Sequence, residues 1–196
     1  MSGTLDTALW ALGRGTGVIA LVMFTVTLVL GIMARSGRAA LGLGRFGVAE
    51  VHRTAALTGT ALIAVHLGSL FFDPYAQLRL VDLVFPFLGS YRPVWLGLGT
   101  LAVDLLVVVT VVSLLRAKVG PRVFRTVHYA TYALWPVALV HALGNGSDNG
   151  ALWLRAVAAA CVAAVGAALV WRLSAGYVER GRTRIARSAT RRAASR

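Results

Sequence analysis

The chain has 196 residues, 58% of them hydrophobic and only 14% charged, with several long uncharged runs. That composition excludes an ordinary water-soluble domain and points to one compact membrane bundle. A net charge of +13 would suit nucleic acid, but the arginines fall on what would be one side of a bilayer. They report topology, and no nucleic-acid partner is expected.

In chain order, apolar runs of about 20 residues predict five transmembrane helices, at about residues 11–34, 48–72, 94–115, 124–143 and 151–173. The N-terminal stretch MSGTLDTALW has no basic residue ahead of the first run and carries Asp6, so no cleavable signal is expected. Arg35, Arg38 and Arg45 with Glu50 lie between spans one and two, and Arg116, Lys118, Arg122 and Arg125 between spans three and four. Residues 174–196 form an arginine-rich tail with Glu179, expected to be disordered. The other flanks hold Asp6, a balanced segment from Asp73 to Pro93, and Asp148 in GNGSDNG. Basic and non-basic flanks alternate throughout, which predicts a cell-membrane protein with its N-terminus outside and its C-terminus in the cytoplasm. Cys161 is the single cysteine and is expected to be a small packing residue.

All four histidines lie inside predicted spans, His52 and His66 in the second, His128 and His141 in the fourth. Ionisable side chains in hydrocarbon are costly and mark function. Spans two and four run the same way, so His52 and His128 share a depth near the cytoplasm. His66 and His141 share another, roughly 20 Å further out at 1.5 Å per residue. Fourteen steps, 52 to 66, return His66 to within about 40° of His52, and Gly59 lies midway on the same stripe. A glycine there would leave room for a flat macrocycle. Thirteen steps from His128 leave His141 about 140° away on an ideal helix, so Pro136 is expected to kink or rewind it. Each depth offers two imidazoles and no nearby cysteine or carboxylate, short of the four ligands of structural zinc. Heme brings its own equatorial nitrogens and needs two axial ones. With no CxxCH motif the hemes would be b-type. The other reading is a heme-free structural or transport subunit whose histidines bond between helices.

The pairs lie in VHRTAALTGTALIAVH (51–66) and VHYATYALWPVALVH (127–141), span one opens with LGRGTG (12–17), and span three begins at SYRPVW (90–95). On these residues, over 10 to about 173, the chain resembles the ferric reductase-like transmembrane domain. Ferric reductases, the membrane half of NADPH oxidases and the heme subunit of the bacterial methionine sulfoxide reductase system share that domain. The resemblance implies an all-α polytopic bundle over residues 1–173 enclosing two stacked b-type hemes. His52 and His128 would be the axial ligands of the inner iron, and His66 and His141 those of the outer. It further implies the electron-transfer subunit of an oxidoreductase. In one departure from the large reductases, no flavin or NAD(P)H domain is expected here, since the arginine-rich tail cannot replace the one that follows this module in them. A separate cytoplasmic flavoprotein or ferredoxin-type reductase would donate, and an acceptor at the outer face would receive. In the superoxide-producing oxidases a further histidine lies four residues beyond the outer ligand of the first pair, where this chain has Leu70. The basic loop 116–125 and the tail suit an acidic partner and equally suit anionic lipid.

Other residues carry two readings each. Arg14 either pairs with outer propionates, as the resemblance implies, or snorkels at the interface. Arg53 and Arg125 flank the inner ligands as propionate partners or as ordinary positive-inside charge. Trp135 either fills the space between hemes or packs in the core. Asp104, in mid-span, requires a hydrogen-bonding partner or a proton; in a quinol-linked cytochrome b subunit it or Arg14 would line a quinone site. GLGRFG (42–47) matches a dinucleotide fingerprint by letter but follows no strand, and Asn145 begins an NGS sequon.

Overall fold

The computed structural model describes residues 2–37, 39, 42–74, 76, 78–145, 150–174 and 176–177. Its helices are α1 (Ser2–Ser36), α2 (Arg45–Phe72), α3 (Leu80–Val84), α4 (Pro93–Leu114), α5 (Arg116–His128), α6 (Thr131–Asn145) and α7 (Leu152–Leu173). Four of them, α1, α2, α4 and α7, are each long and apolar enough to cross a membrane. The protein is an all-α integral membrane bundle. Large apolar side chains face outward, Phe72, Val170 and Leu173 being 72%, 70% and 85% exposed, as expected where lipid is the solvent. The basic tail falls, from residue 178 on, outside the described residues.

The run expected at 124–143 is not one helix. Gly120 takes a left-handed φ of 80° that ends a first short turn, and Pro121 restarts the helix with its φ already fixed. A second interruption falls at Tyr129 and Ala130, between α5 and α6. There the amides of Ala130, Tyr132 and Ala133 bond to carbonyls three residues back, at 2.9, 3.1 and 3.0 Å. Each such tight step turns the chain about 20° further than an α step, which reduces the angular mismatch between His128 and His141. The rewinding thus precedes Pro136, through which α6 continues. α6 alone has 15 residues, roughly 22 Å, and is shorter than the about 20 residues that a bilayer crossing needs. α1 reaches back to Ser2, residues 2–10 containing no proline and one glycine, Gly3, to oppose it.

α1 packs along α2, α4 along α6, and α7 against α1. The core between α1, α6 and α7 contains Leu21, Trp135, Leu139, Ala158, Cys161 and Val165. On α7 the buried Ala158, Cys161, Val165 and Ala168 recur every three or four residues, and their small size lets the helices approach closely. The helices that carry the histidines are therefore backed chiefly by α1 and α4, which leaves space between them.

The connection from α2 to α4 folds over one end of that space. The Arg79 backbone N–H and Nε donate to Asp82 Oδ2, both at 3.1 Å, and Nη2 donates to Oδ1 at 3.0 Å, closing a capping box on α3. Thr100 Oγ1 donates to the Asp82 carbonyl at 2.6 Å, tying α3 to α4. Phe87 holds a left-handed φ of 70°, and its ring and backbone occupy the space that a side chain at position 97 would need. Gly97 is required there.

Hydrogen bonding from the Arg79 side chain holds the Asp82 carboxyl below the usual carboxylate range, against the opposing effect of burial. The lowered folded-state value means this stabilisation is complete above the ordinary carboxylate pKa, about 4, and is lost as pH falls through the folded-state value. Hydrogen exchange over 79–88, corrected for its intrinsic pH dependence, should stay constant from neutral pH to about 5 and rise below about 4. Asp82→Asn should raise it roughly tenfold at neutral pH, the scale of one charge-assisted hydrogen bond. Equal protection in both proteins would show that this ion pair does not hold the segment.

Candidate functional site

Two cavities occupy the space between the histidine helices. One, about 370 Å³ and called outer here after the side that the charge pattern assigns it, is lined by His66 of α2 and His141 of α6. The inner, about 1140 Å³, is lined by His52 of α2 and by His128, the last residue of α5. Both have the scale of cofactor sites. The pairs expected from matched depth are brought together, and Phe24, Leu106 and Leu134 line both cavities as the partition between them.

Neighbouring backbone orients three of the four rings. His52 Nδ1–H donates to the Thr27 carbonyl at 2.8 Å and His66 Nδ1–H to the Gly13 carbonyl at 2.7 Å, both on α1. His141 Nδ1–H donates to the Trp95 carbonyl on α4 at 2.7 Å. A carbonyl only accepts, so each bond assigns the proton to Nδ1 and leaves the lone pair on Nε2. No Nε2 of the four is hydrogen-bonded among the described residues. His128 differs, because its Nδ1 is buried without a partner among the described residues. Its ring stacks instead on Phe124, one turn earlier in α5, with centroids 5.1 Å apart.

A carbonyl on the far nitrogen is the usual support of a metal-ligating histidine. The His52 and His128 ring centroids are 6.2 Å apart, too far for a direct hydrogen bond. That separation suits one metal ion between two imidazoles, each nitrogen about 2 Å from it. Among the described residues, no three His, Cys, Asp or Glu side chains are placed to hold a metal ion. The donor set is two imidazoles per cavity, which fits the axial positions of heme and falls short of structural zinc.

The arginines expected near the ligands are at the cavities. Arg14 lines the outer one with its guanidinium 4.0 Å from the centroid of the Trp10 ring, and Arg53 and Arg125 line the inner one. Arg35 and Arg116, read in the sequence only as flanking charge, line the inner cavity too, with Glu50. Trp135 lines the inner cavity, but its indole N–H donates to Thr25 Oγ1 at 2.9 Å and its ring belongs to the core beside Leu21 and Cys161. The ring between the cavities is Phe24.

Gly59 corrects an expectation. It lines neither cavity, and a Cβ there would meet Phe24 Cε1 at 2.9 Å, so the room it leaves is taken by that ring and not by a macrocycle. Asp104 is half-buried, lines neither cavity and has no hydrogen bond among the described residues, which leaves the proton of the two alternatives expected for it. Leu70 lines the outer cavity. Asn145 Oδ1 is buried without a partner among the described residues, which does not suit a surface sequon; Gly146 and Ser147 lie outside them. The glycine-rich 42–47 runs into α2 at Arg45. Arg92, unremarked in the sequence, donates from Nη2 to the Gly144 carbonyl at 2.9 Å and caps the end of α6.

A helix bundle with two stacked cavities, each walled by a histidine from either side, defines a membrane module built around half-buried imidazole pairs. The family described as Ferric reductase like transmembrane component matches residues 16–139, and the chain belongs to that family. No curated protein and no solved structure matches the chain. Membership implies a membrane electron-transfer module; such domains generally bind heme and typically work with a cytoplasmic reductase.

Thr25→Val would leave the buried Trp135 indole N–H without its acceptor while keeping the side-chain shape. The expected destabilisation is about 1–3 kcal/mol, read as a lowered unfolding midpoint in detergent. An unchanged midpoint would show that the indole finds another acceptor.

Proposed function

We propose that the protein is a di-heme b-type cytochrome, the electron-transfer subunit of an oxidoreductase, carrying electrons from a cytoplasmic donor to an acceptor at the outer face of the cell membrane. The observation that carries this reading is the facing of two histidines across each cavity with their Nε2 atoms unpaired. A histidine serving only as a tie between helices has no need of a second, unpartnered nitrogen at a cavity wall. That weighs against a heme-free structural or transport subunit, and family membership supports heme.

In this reading His52 and His128 hold the inner heme and His66 and His141 the outer. Heme held by these histidines would supply one-electron redox chemistry. The carbonyls of Thr27, Gly13 and Trp95 orient the rings and make their ligating nitrogens more basic. Arg35, Arg53, Arg116 and Arg125 at the inner cavity, and Arg14 at the outer, place positive charge where carboxylate groups of a ligand would lie. Phe24, Leu106 and Leu134 exclude water between the cavities, while Leu78, Leu83 and Tyr91 cover the outer one.

The alternation of basic and non-basic flanks supports an outside N-terminus and a cytoplasmic C-terminus. Arg116, Lys118, Arg122 and Arg125 then form a cytoplasmic surface suited to an acidic flavoprotein or ferredoxin-type reductase.

A pyridine hemochrome assay on purified protein should return two b-type hemes per chain, both low-spin. His52→Ala or His128→Ala should remove the inner heme and spare the outer, and His66→Ala or His141→Ala should do the reverse. A stoichiometry of zero overturns the reading. Reporters fused to the two termini should report opposite sides of the membrane, the C-terminal one cytoplasmic; the same side for both would break the depth matching. Reduction of the outer heme by the cytoplasmic partner should fail in His52→Ala, and reduction at the wild-type rate would favour a quinol or external donor.

A further inference from the structure

We propose that Gly17, Gly31 and Gly99 are positioning residues, each forming with the carbonyl four residues before it a seat that fixes one heme-facing histidine in a single tautomer and orientation. The proposal deepens the heme-binding reading and rests on it for its consequence at the iron.

The same local arrangement occurs three times. The carbonyls that accept from His66, His52 and His141 belong to Gly13, Thr27 and Trp95, and four positions after each stands Gly17, Gly31 or Gly99. In an α-helix the carbonyl of residue i already accepts the amide of i+4 and keeps a second lone pair. The side chain of i+4 leans back over the turn before it and so covers that lone pair. A glycine at i+4 uncovers it, and a ring from a neighbouring helix can then reach the carbonyl.

The distances bear this out at each seat. A Cβ on Gly99 would lie 2.5 Å from His141 Cε1, one on Gly17 3.0 Å from both Cε1 and Nδ1 of His66, and one on Gly31 3.2 Å from His52 Cε1. All are inside the optimal carbon contact of about 3.5–4.0 Å, so ring and methyl compete for one volume. Other glycines of these helices do not share the role. Gly15 on α1 has nothing within 4 Å of its Cβ position, and Gly59 faces Phe24. His128 has no seat, its Nδ1 being unpartnered among the described residues and its ring held by stacking on Phe124.

Alanine is a better helix former than glycine, so lost heme in such a variant cannot be assigned to a weakened helix. The test compares full-length wild-type protein with Gly99→Ala, Gly17→Ala, Gly31→Ala and Gly15→Ala, using heme titration and low-spin spectra, with each heme identified from the His52→Ala and His66→Ala proteins. Gly99→Ala should weaken the outer heme about 10- to 100-fold, the scale for losing the outer support of a metal-bound histidine, and leave the inner heme. Gly17→Ala should weaken the outer heme by less, Gly31→Ala should weaken the inner heme alone, and Gly15→Ala should change neither. Wild-type affinity in the first three variants overturns the proposal. Loss of both hemes together in Gly99→Ala, or equal weakening of both in Gly31→Ala, also overturns it.

A readout independent of heme separates this proposal from the functional reading. In heme-free protein labelled with ¹⁵N-histidine, three rings should carry the proton on Nδ1, and Gly99→Ala should release one of them. If wild-type protein takes up no heme yet shows three such rings, the seats stand and the cytochrome reading falls. If the rings average between tautomers, the seats fall.

Discussion

An imidazole placed in hydrocarbon has one nitrogen that donates and one that accepts, with no water at hand for either. Three of the rings in this bundle give the donor to a main-chain carbonyl on a neighbouring helix, at 2.7 or 2.8 Å. Because those carbonyls belong to α1 and α4, α1 must lie along α2 and α4 along α6. The pairing of helices, the gap between the pairs and the direction of the free nitrogens all follow from satisfying that one proton. α7 then closes the bundle behind α1 with a face of small side chains, taking no part in the cavities beyond Trp153 and Leu154 at the outer one.

The two cavities are separated by apolar side chains alone, and they end differently. The outer one is roofed by a segment fastened through Arg79, Asp82 and Thr100, whereas the inner one is larger and rimmed by arginines. The rim of arginines makes the inner end the more attractive of the two to an anionic partner. The asymmetry extends to the histidines, since among the described residues His128 alone of the four lacks a carbonyl partner.

Much of this was legible from the letters. The spacing of the histidines and the alternation of charge sufficed for the bundle, the depth matching and the pairs that share a cavity. Other features could not be read because they have no side-chain signature. The acceptors at Gly13, Thr27 and Trp95 are backbone atoms, and nothing in their names marks them. The tightening at residues 129–133 lies in YATYA, which contains no helix breaker. Pro136 leaves the Tyr132 carbonyl without its usual amide, so its influence falls on the turn before it. Gly59 was placed on the correct stripe of α2, but its occupant, Phe24, comes from another helix, and single-helix periodicity cannot reveal that.

The histidines of α2 are fourteen positions apart, and so are Gly13 and Thr27, and Gly17 and Gly31, on the antiparallel α1. The two helices therefore mesh at two points separated by the same interval, about 21 Å of helix. Inserting one residue between those points in either helix would turn one of them by about 100° and shift it by about 1.5 Å while the other stayed engaged. Only matched insertions in both would keep the mesh. The vertical distance between the cavities is thus a length standard counted in helical turns, held constant while loops lengthen or the surrounding bilayer thins.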